Sequence, residues 1–357
     1  MRLGLIGLPM SGKTTIFNAL TGSNRPVSVT APGKLDVQIA VVNVPDPRLD
    51  ALAEIFKPQK KVPAQITYAD IGGLTKGISE GALSGPFRNQ VSQMDGFLHV
   101  VRVFEDPNVP HPEESIDPQR DLDILEGEFL LSDLISVEGR MARLKEEISK
   151  GKNREANLRE MALFERLHAT LEAETPLRDL ELTAAELQSL RGYGFLSLKP
   201  KLVLLNIGEE DEGPAQPIRL KGRHDVALKI QGRLEMEIAQ LEPDEAELFM
   251  EEYGLSDLAR DRVIRASYDM LRIQTFFTVG EDEVRAWPHP IGATAREAAG
   301  EIHTDLQRGF IRAEIIPAEA LIELGGLSQA RQAGKLRMEG RDYVMQDGDV
   351  MTVHFNV

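Results

Sequence analysis

The residues Gly7-Leu-Pro-Met-Ser-Gly-Lys13-Thr14 follow the spacing G-x-x-x-x-G-K-[ST]. A polyphosphate chain needs many hydrogen-bond donors converging on it without side chains in the way. Glycines at 7 and 12 let backbone N–H groups wrap such a ligand, and a helix opening near Lys13 adds the positive end of its dipole. In this pattern Lys13 meets the β- and γ-phosphates as a charge-neutralising catalytic group. Thr14 offers a hydroxyl to Mg²⁺. Pro9, Met10, Ser11, Gly12 and Thr15 complete the candidate phosphate contacts. The chemistry indicated is binding and hydrolysis of a nucleoside triphosphate.

Two further segments extend the candidate site. Asp70-Ile-Gly-Gly73 ends an alternating run. An Asp there can hold Mg²⁺ through water, and the Gly73 amide can sense the γ-phosphate. The next residue is Leu74, where Ras-like enzymes place a glutamine that positions the attacking water. A third segment, Leu205-Asn206-Ile207-Gly208-Glu209, stands where a base-reading N-K-x-D is expected, but it has no lysine and has glutamate for aspartate.

These residues must be carried by strands and helices. Residues 2–6, 37–44, 65–71, 97–104 and 201–205 form short apolar or alternating runs that read as strands. Helical spacing follows at Ile16, Phe17 and Leu20, and Asp50 is the expected cap of the helix ALAEIF. Strands alternating with helices predict an α/β fold with a mostly parallel, doubly wound sheet. From Asp121 to about Leu190 the pattern changes. Leu130, Leu134, Val137, Met141, Leu144 and Ile148 form a heptad seam, Gly151 turns the chain, and Met161, Phe164, Leu167 and Leu171 form a second stripe. That predicts an inserted antiparallel coiled-coil hairpin. Helical stretches are expected at 225–241 and 245–271. Past Gln274, the runs TFFTV, EVRAW, GFIRAEII, DYVMQ and DVMTVHFNV read as strands around one helix, TAREAAGEIHTDL, a small α+β domain.

Composition narrows the class. The 357 residues include no cysteine, so disulfides and thiolate chemistry are excluded. A net charge of −16 opposes nonspecific coating of nucleic acid or acidic membrane and conflicts with a pure RNA-binding module. Neither a signal peptide nor a membrane span is evident, and the expected location is cytoplasmic. Nothing specifies DNA, and a monomer is expected.

The residues above, together with VPDPRLDALAEIFKPQKKVPA (44–64), ADIGGLTKG (69–77), HVVRVFEDPNVPH (99–111), DPQRDLDILEGEFLLSDL (117–134) and RVIRASYDMLRIQTFFTVGEDEVRAW (262–287), resemble the YchF/Obg-like ATPase family. The run AAGEIHTDLQRGFIRAE through GKLRMEGRDYVMQDGDVMTVHFNV is similar to that family's TGS-type β-grasp domain. The resemblance covers nearly the whole chain. It implies a P-loop NTPase G domain at 1–120 and 198–272, the helical arm at 121–197 and a TGS-like domain at 273–357. It also implies Mg²⁺ as cofactor, preference for ATP over GTP through Asn206 and Glu209 with Ile207 beside the adenine, and a ribosome or ribosomal RNA as partner.

Three departures bear on hydrolysis. Met10 stands where the family has an asparagine, and a thioether is a poor ligand for a hard cation, so stimulation by potassium is not expected. The segment 25–37 lacks the family's P-F-x-T-I-x-P-N, leaving Thr30 as the nearest Mg²⁺-covering threonine, with Ser28 or plain loop structure as alternatives. The stretch 80–89 is altered as well. The alternative readings are a GTPase of the same fold and a nucleotide-binding scaffold with negligible hydrolysis. Among secondary candidates, Arg331, Lys335, Arg337 and Arg341 form a basic patch, a solvated face by default, for which the TGS-like context suggests RNA contact. His99 is expected in the core, and His303 at a helix end. The acidic run 209–212 reads as a solvated turn, apart from Glu209.

Overall fold

The computed structural model describes residues 1–24, 37–72, 83, 85–151, 153–208, 213–214, 216–252 and 258–356. Its strands are β1 (Arg2–Ile6), β2 (Val37–Asn43), β3 (Lys60–Val62), β4 (Gln65–Ile71), β5 (Gly96–Arg102) and β6 (Lys201–Asn206). They continue with β7 (Val226–Ile230), β8 (Ile273–Thr278), β9 (Glu283–Pro290), β10 (Phe310–Pro317), β11 (Arg337–Glu339) and β12 (Asp349–Phe355). Two compact units result, Met1–Ala40 with Thr67–Val263, and Val41–Ile66 with Ile264–Val357.

The first unit is built on a sheet of order β2-β4-β1-β5-β6-β7. The β4–β1, β1–β5, β5–β6 and β6–β7 pairs are all parallel. Central strands β5 and β6 are buried at every position, as a sheet covered on both faces requires. Residues 226–230, expected in a helix, instead form β7. The run VALKI pairs along its whole length with β6, and the helix begins only at Gly232. Tertiary pairing there overrides a weak helical pattern.

The arm is the pair of helices Pro118–Ser149 and Arg154–Glu172. They run antiparallel, since Arg140 meets Glu160, and Glu138 meets His168. Leu130, Val137 and Leu144 are buried in one cluster with Met161, Phe164, Leu167 and Leu171, and Leu134, Met141 and Ile148 pack against it. The heptad reading therefore described a real core. Asp117 caps the first helix through Arg120 N–H, with Pro118 at its first turn.

A buried ion cluster fastens this helix to the sheet. Arg178 Nη2 donates to Glu126 Oε1 and to Asp225 Oδ2, each at 2.7 Å. Lys201, at the start of β6, donates to the second oxygen of Glu126. Burial alone would raise the Glu126 carboxyl, but the Lys201 and Arg178 charges outweigh it and hold the group down to about 2. His99, central in β5, is 1% exposed, and burial pushes its imidazole down to about 3, so it is a neutral core residue as expected.

In the second unit the sheet order is β11-β10-β12-β8-β9-β3. β8 and β9 form an antiparallel hairpin, β12 lies parallel to β8, and the helix Ala295–Ile302 packs its alanines on Phe276, Phe310 and Ile315. That is a β-grasp arrangement. DYVMQ is not a strand; Val344 makes only an isolated bridge to Thr294, and β11 at 337–339 takes the edge. The expected single helix TAREAAGEIHTDL is broken at His303, whose extended backbone starts a second helix, Thr304–Arg308.

Residues 41–66, expected in the nucleotide domain, belong to this second unit. β3 pairs in parallel with β9, and Arg48 reaches Asp347 at 2.7 Å and lies over the Phe277 ring. The helix carrying Arg48 is Pro47–Phe56, capped by Asp46 rather than Asp50, because Pro47 suits the first helical position and Asp46 accepts from Arg48 N–H. Asp50 lies in the first turn and pairs with Lys61.

Removing one member of the buried ion cluster should be costly. Glu126→Ala leaves Arg178 and Lys201 buried with a single counter-charge, and chemical denaturation should show a loss of about 3–5 kcal/mol. The folded carboxyl lies below its unfolded value near 4.5. The contribution of Glu126 is therefore full above about pH 4.5 and disappears as the pH falls toward 2. An unchanged denaturation midpoint would contradict this account.

Candidate functional site

The site lies at the carboxyl ends of β1, β4 and β6, where open parallel sheets present their ligand crevices. The loop after β1 turns at Gly7, where a Cβ would sit 2.3 Å from Val100 O. It closes at Gly12, whose φ is 92° and whose Cβ would lie 2.2 Å from Asn206 Nδ2. Only glycine fits at either position. The helix Lys13–Thr21 follows and points its N-terminus into the loop.

Lys13 Nζ donates to Gly7 O at 2.9 Å and to Leu8 O at 2.8 Å, so its ammonium is held across the mouth of the loop. Burial pushes this ammonium down to about 8, against the opposing pull of Asp70. Thr14 Oγ1 donates to Asp70 Oδ2 at 2.8 Å. Two residues far apart in sequence thus bring a hydroxyl and a carboxylate together beside a cation. Hard oxygen donors in this number suit Mg²⁺, which keeps most of its own water.

Met10 has a φ of 61°, in the left-handed region where asparagine is better tolerated than a long side chain. Ser11 is buried, its N–H donates to Leu8 O at 3.3 Å, and its hydroxyl has no partner among the described residues. Pro9 and Thr15 are partly exposed on the loop and the first helical turn.

Asn206 ends β6 and uses both ends of its side-chain amide on the protein. Nδ2 donates to Ser11 O at 3.1 Å, and Oδ1 accepts from Gly232 N at 3.2 Å. Its own carbonyl accepts from Val103 and Phe104 N–H. Ile207 follows, partly exposed, its N–H bonded to Ile230 O at 3.0 Å. Gly73, Leu74, Thr30 and Glu209, with the rest of 209–212, lie outside the described residues, as do most of segments 25–37 and 80–84.

Sequence reading missed Arg102. This residue is 2% exposed at the end of β5, and its guanidinium donates to Phe104 O at 3.1 Å and Val109 O at 2.9 Å. The guanidinium carbon stands 4.4 Å from the Phe104 ring centroid. Arg102 thereby shapes the segment that leaves β5 beside Asn206. A lone arginine inside the apolar run FLHVVRVF was the available signal. His111 was missed too. Its Nδ1 accepts from Glu113 N–H, which puts the proton on Nε2 for Asp121 at 2.8 Å and ties the same segment to the arm helix.

In the second unit the four basic candidates are exposed but partly neutralised. Arg331 pairs with Glu314 at 3.1 Å, and Arg337 lies 3.7 Å from Glu339 and donates to Tyr343 Oη. Arg341 donates to Phe310 O, and Lys335 is exposed. His303 caps a helix by accepting from Asp305 N–H at 3.2 Å.

A glycine-bounded loop, its lysine and a threonine–aspartate pair on a parallel sheet define the class, a P-loop nucleotide-binding fold. The family model described as 50S ribosome-binding GTPase matches residues 2–137. The YchF GTPase C-terminal model, described as a protein of unknown function, matches residues 273–356. The Ribosome-binding ATPase YchF of Pasteurella multocida (strain Pm70) is 40% identical over 362 residues, covering 100% of this chain and 99% of that protein. Obg-like ATPase 1 of Caenorhabditis elegans is 34% identical over 371 residues, 100% of this chain and 92% of that one. The structure of the Schizosaccharomyces pombe YchF GTPase superposes with a TM-score of 0.85 at 31% identity, covering 99% of this chain and 97% of that chain. The chain belongs to the YchF family.

The depressed Lys13 ammonium gives a pH signature. If Lys13 is the phosphate-meeting charge that the loop pattern predicts, affinity for a triphosphate should hold below about pH 8 and weaken above it, as the free protein loses that charge. Lys13→Ala should bind weakly at every pH. Titration of a fluorescent nucleotide from pH 6 to 10 checks this; a flat profile for the wild type would refute it.

Proposed function

We propose that this chain is an ATP-preferring, Mg²⁺-dependent nucleoside triphosphatase whose nucleotide state governs contact with the ribosome or its RNA. The observation that carries the reading is the convergence of Lys13 Nζ, Thr14 Oγ1 and Asp70 Oδ2 on one side of the glycine loop. Lys13 would neutralise charge on the transferred phosphate while the loop N–H groups hold the chain of phosphates in line. Thr14 and Asp70 would hold Mg²⁺, directly and through water, and the ion supplies charge neutralisation when bound. Gly73 is assigned the γ-phosphate contact, with Thr30 the nearest candidate to close over the metal.

The sequence assigns ATP preference to Asn206 and Glu209, with Ile207 beside the adenine. Because both ends of the Asn206 amide are bonded to Ser11 O and Gly232 N, we assign the base contact to Ile207 and Glu209, with Asn206 holding the base-side wall to the loop. The relatives named as ribosome-binding ATPases support this reading and the ribosomal partner. Leu74, where a water-positioning glutamine would stand, supports slow turnover. Exposed Arg331, Lys335, Arg337 and Arg341 are the proposed RNA-facing patch, and the work is assigned to the cytoplasm.

A competition titration tests the reading. Nucleotide-free protein with Mg²⁺ and a fluorescent ATP analogue is challenged with ATP or GTP, with Lys13→Ala as control. ATP should displace the probe at least about tenfold better, roughly 1.4 kcal/mol. A tie or a GTP preference would make the chain a GTPase of the same fold. Equal binding by Lys13→Ala would remove the phosphate site itself.

A further inference from the structure

We propose that Arg88 couples the nucleotide site to the helical arm, as a positioning residue that touches neither nucleotide nor metal. The inference rests on the reading above, that nucleotide bound at Lys13, Thr14 and Asp70 governs engagement of a partner.

The helix Gly85–Ser92 comes after β4 in the chain, and β4 carries Asp70, bonded to Thr14. Its Phe87 and Val91 are buried in one cluster with Ile71 at the end of β4 and with Leu125 and Phe129 of the arm helix. The helix is therefore packed against both the strand that bears the metal-side carboxylate and the root of the arm. Packed cores of this kind move as units rather than deform.

Arg88 adds direction to this packing. Its Nε donates to Ser132 Oγ at 2.9 Å, and its Nη2 donates to Ser136 Oγ at 2.8 Å. The two hydroxyls lie one turn apart on the arm helix. Ser136 Oγ donates its own proton to Ser132 O at 2.9 Å, so toward Arg88 it acts as an acceptor. A planar guanidinium bonded at two points fixes both the position and the rotation of its helix, which a single ammonium cannot do.

The serines stand on a braced turn. Between them Asp133, fully buried, accepts from Leu196 N–H at 2.9 Å and from Ser197 N–H and Oγ, each at 2.7 Å. This ties the same turn of the arm helix to the segment that leads into β6. A change at Asp70 that shifts the helix Gly85–Ser92 is thereby delivered to one defined place on the arm. By linkage, a partner on the arm changes nucleotide affinity by the same factor.

The absence of cysteine from the chain allows clean labelling. Spin labels at Lys145→Cys, near the far end of the first arm helix, and at Val226→Cys, on β7, report one distance. It is measured in the full chain with and without Mg²⁺ and a non-hydrolysable ATP analogue. Nucleotide should shift this distance when Arg88 is present. Arg88→Ala should abolish the shift while analogue affinity stays within about twofold. Arg88→Lys should give a partial shift.

The double variant Ser132→Ala/Ser136→Ala removes the acceptors instead of the cation and should match Arg88→Ala, which separates coupling from loss of fold. A shift that survives in these variants overturns the proposal. So does a wild-type distance that is unchanged when the analogue is shown to bind, and the nucleotide reading then stands. Failure of the wild type to bind the analogue overturns both.

Discussion

The first unit depends on one clasp, the Asn206 side chain between the phosphate loop and the turn after β7. Its amide joins Ser11 O to Gly232 N, while its backbone carbonyl collects the N–H groups of Val103 and Phe104. Three chain segments that would otherwise end separately at the sheet edge are thus held by one residue. The close approach explains Gly12, since any Cβ would strike the amide. Buried and satisfied at both ends, such an amide specifies a single arrangement, because breaking either bond strands a polar group away from water.

The sheet divides its work along β6. Asn206 at one end holds the candidate ligand crevice together, and Lys201 at the other joins Glu126, Arg178 and Asp225 in a buried cluster. The cluster is electrically balanced, two cations against two carboxylates, and it fastens the first arm helix to the sheet. Beyond it the two arm helices pack on each other around Val137, Leu144 and Phe164, with polar ties at Asp133 and Arg140. Binding chemistry and the anchoring of the arm therefore occupy opposite ends of one strand.

The phosphate loop, most of the strands and the arm were legible in the sequence because each rests on local spacing. Heptads at Leu130 to Ile148 and a glycine–lysine pattern at Gly7 to Thr14 need no tertiary information. What was misread depends on contacts distant in sequence. VALKI became β7 because β6 offered it a parallel partner, and residues 41–66 joined the second unit because β3 pairs with β9 and Arg48 with Asp347. Arg102 and the clasping role of Asn206 escaped for the same reason. Their function lies in backbone carbonyls and amides that no side-chain pattern records.

The clasp makes a claim distinct from base reading, and one titration separates them. In Asn206→Ala, the binding of ATP, GTP and inorganic triphosphate is compared with the wild type under the same Mg²⁺. The clasp predicts that all the ligands the wild type binds weaken together, by about tenfold, since a lost buried hydrogen bond of roughly 1–2 kcal/mol loosens the loop proposed to hold the phosphates. Loss of ATP affinity alone, with inorganic triphosphate unchanged, would contradict it and return Asn206 to a role in reading the base.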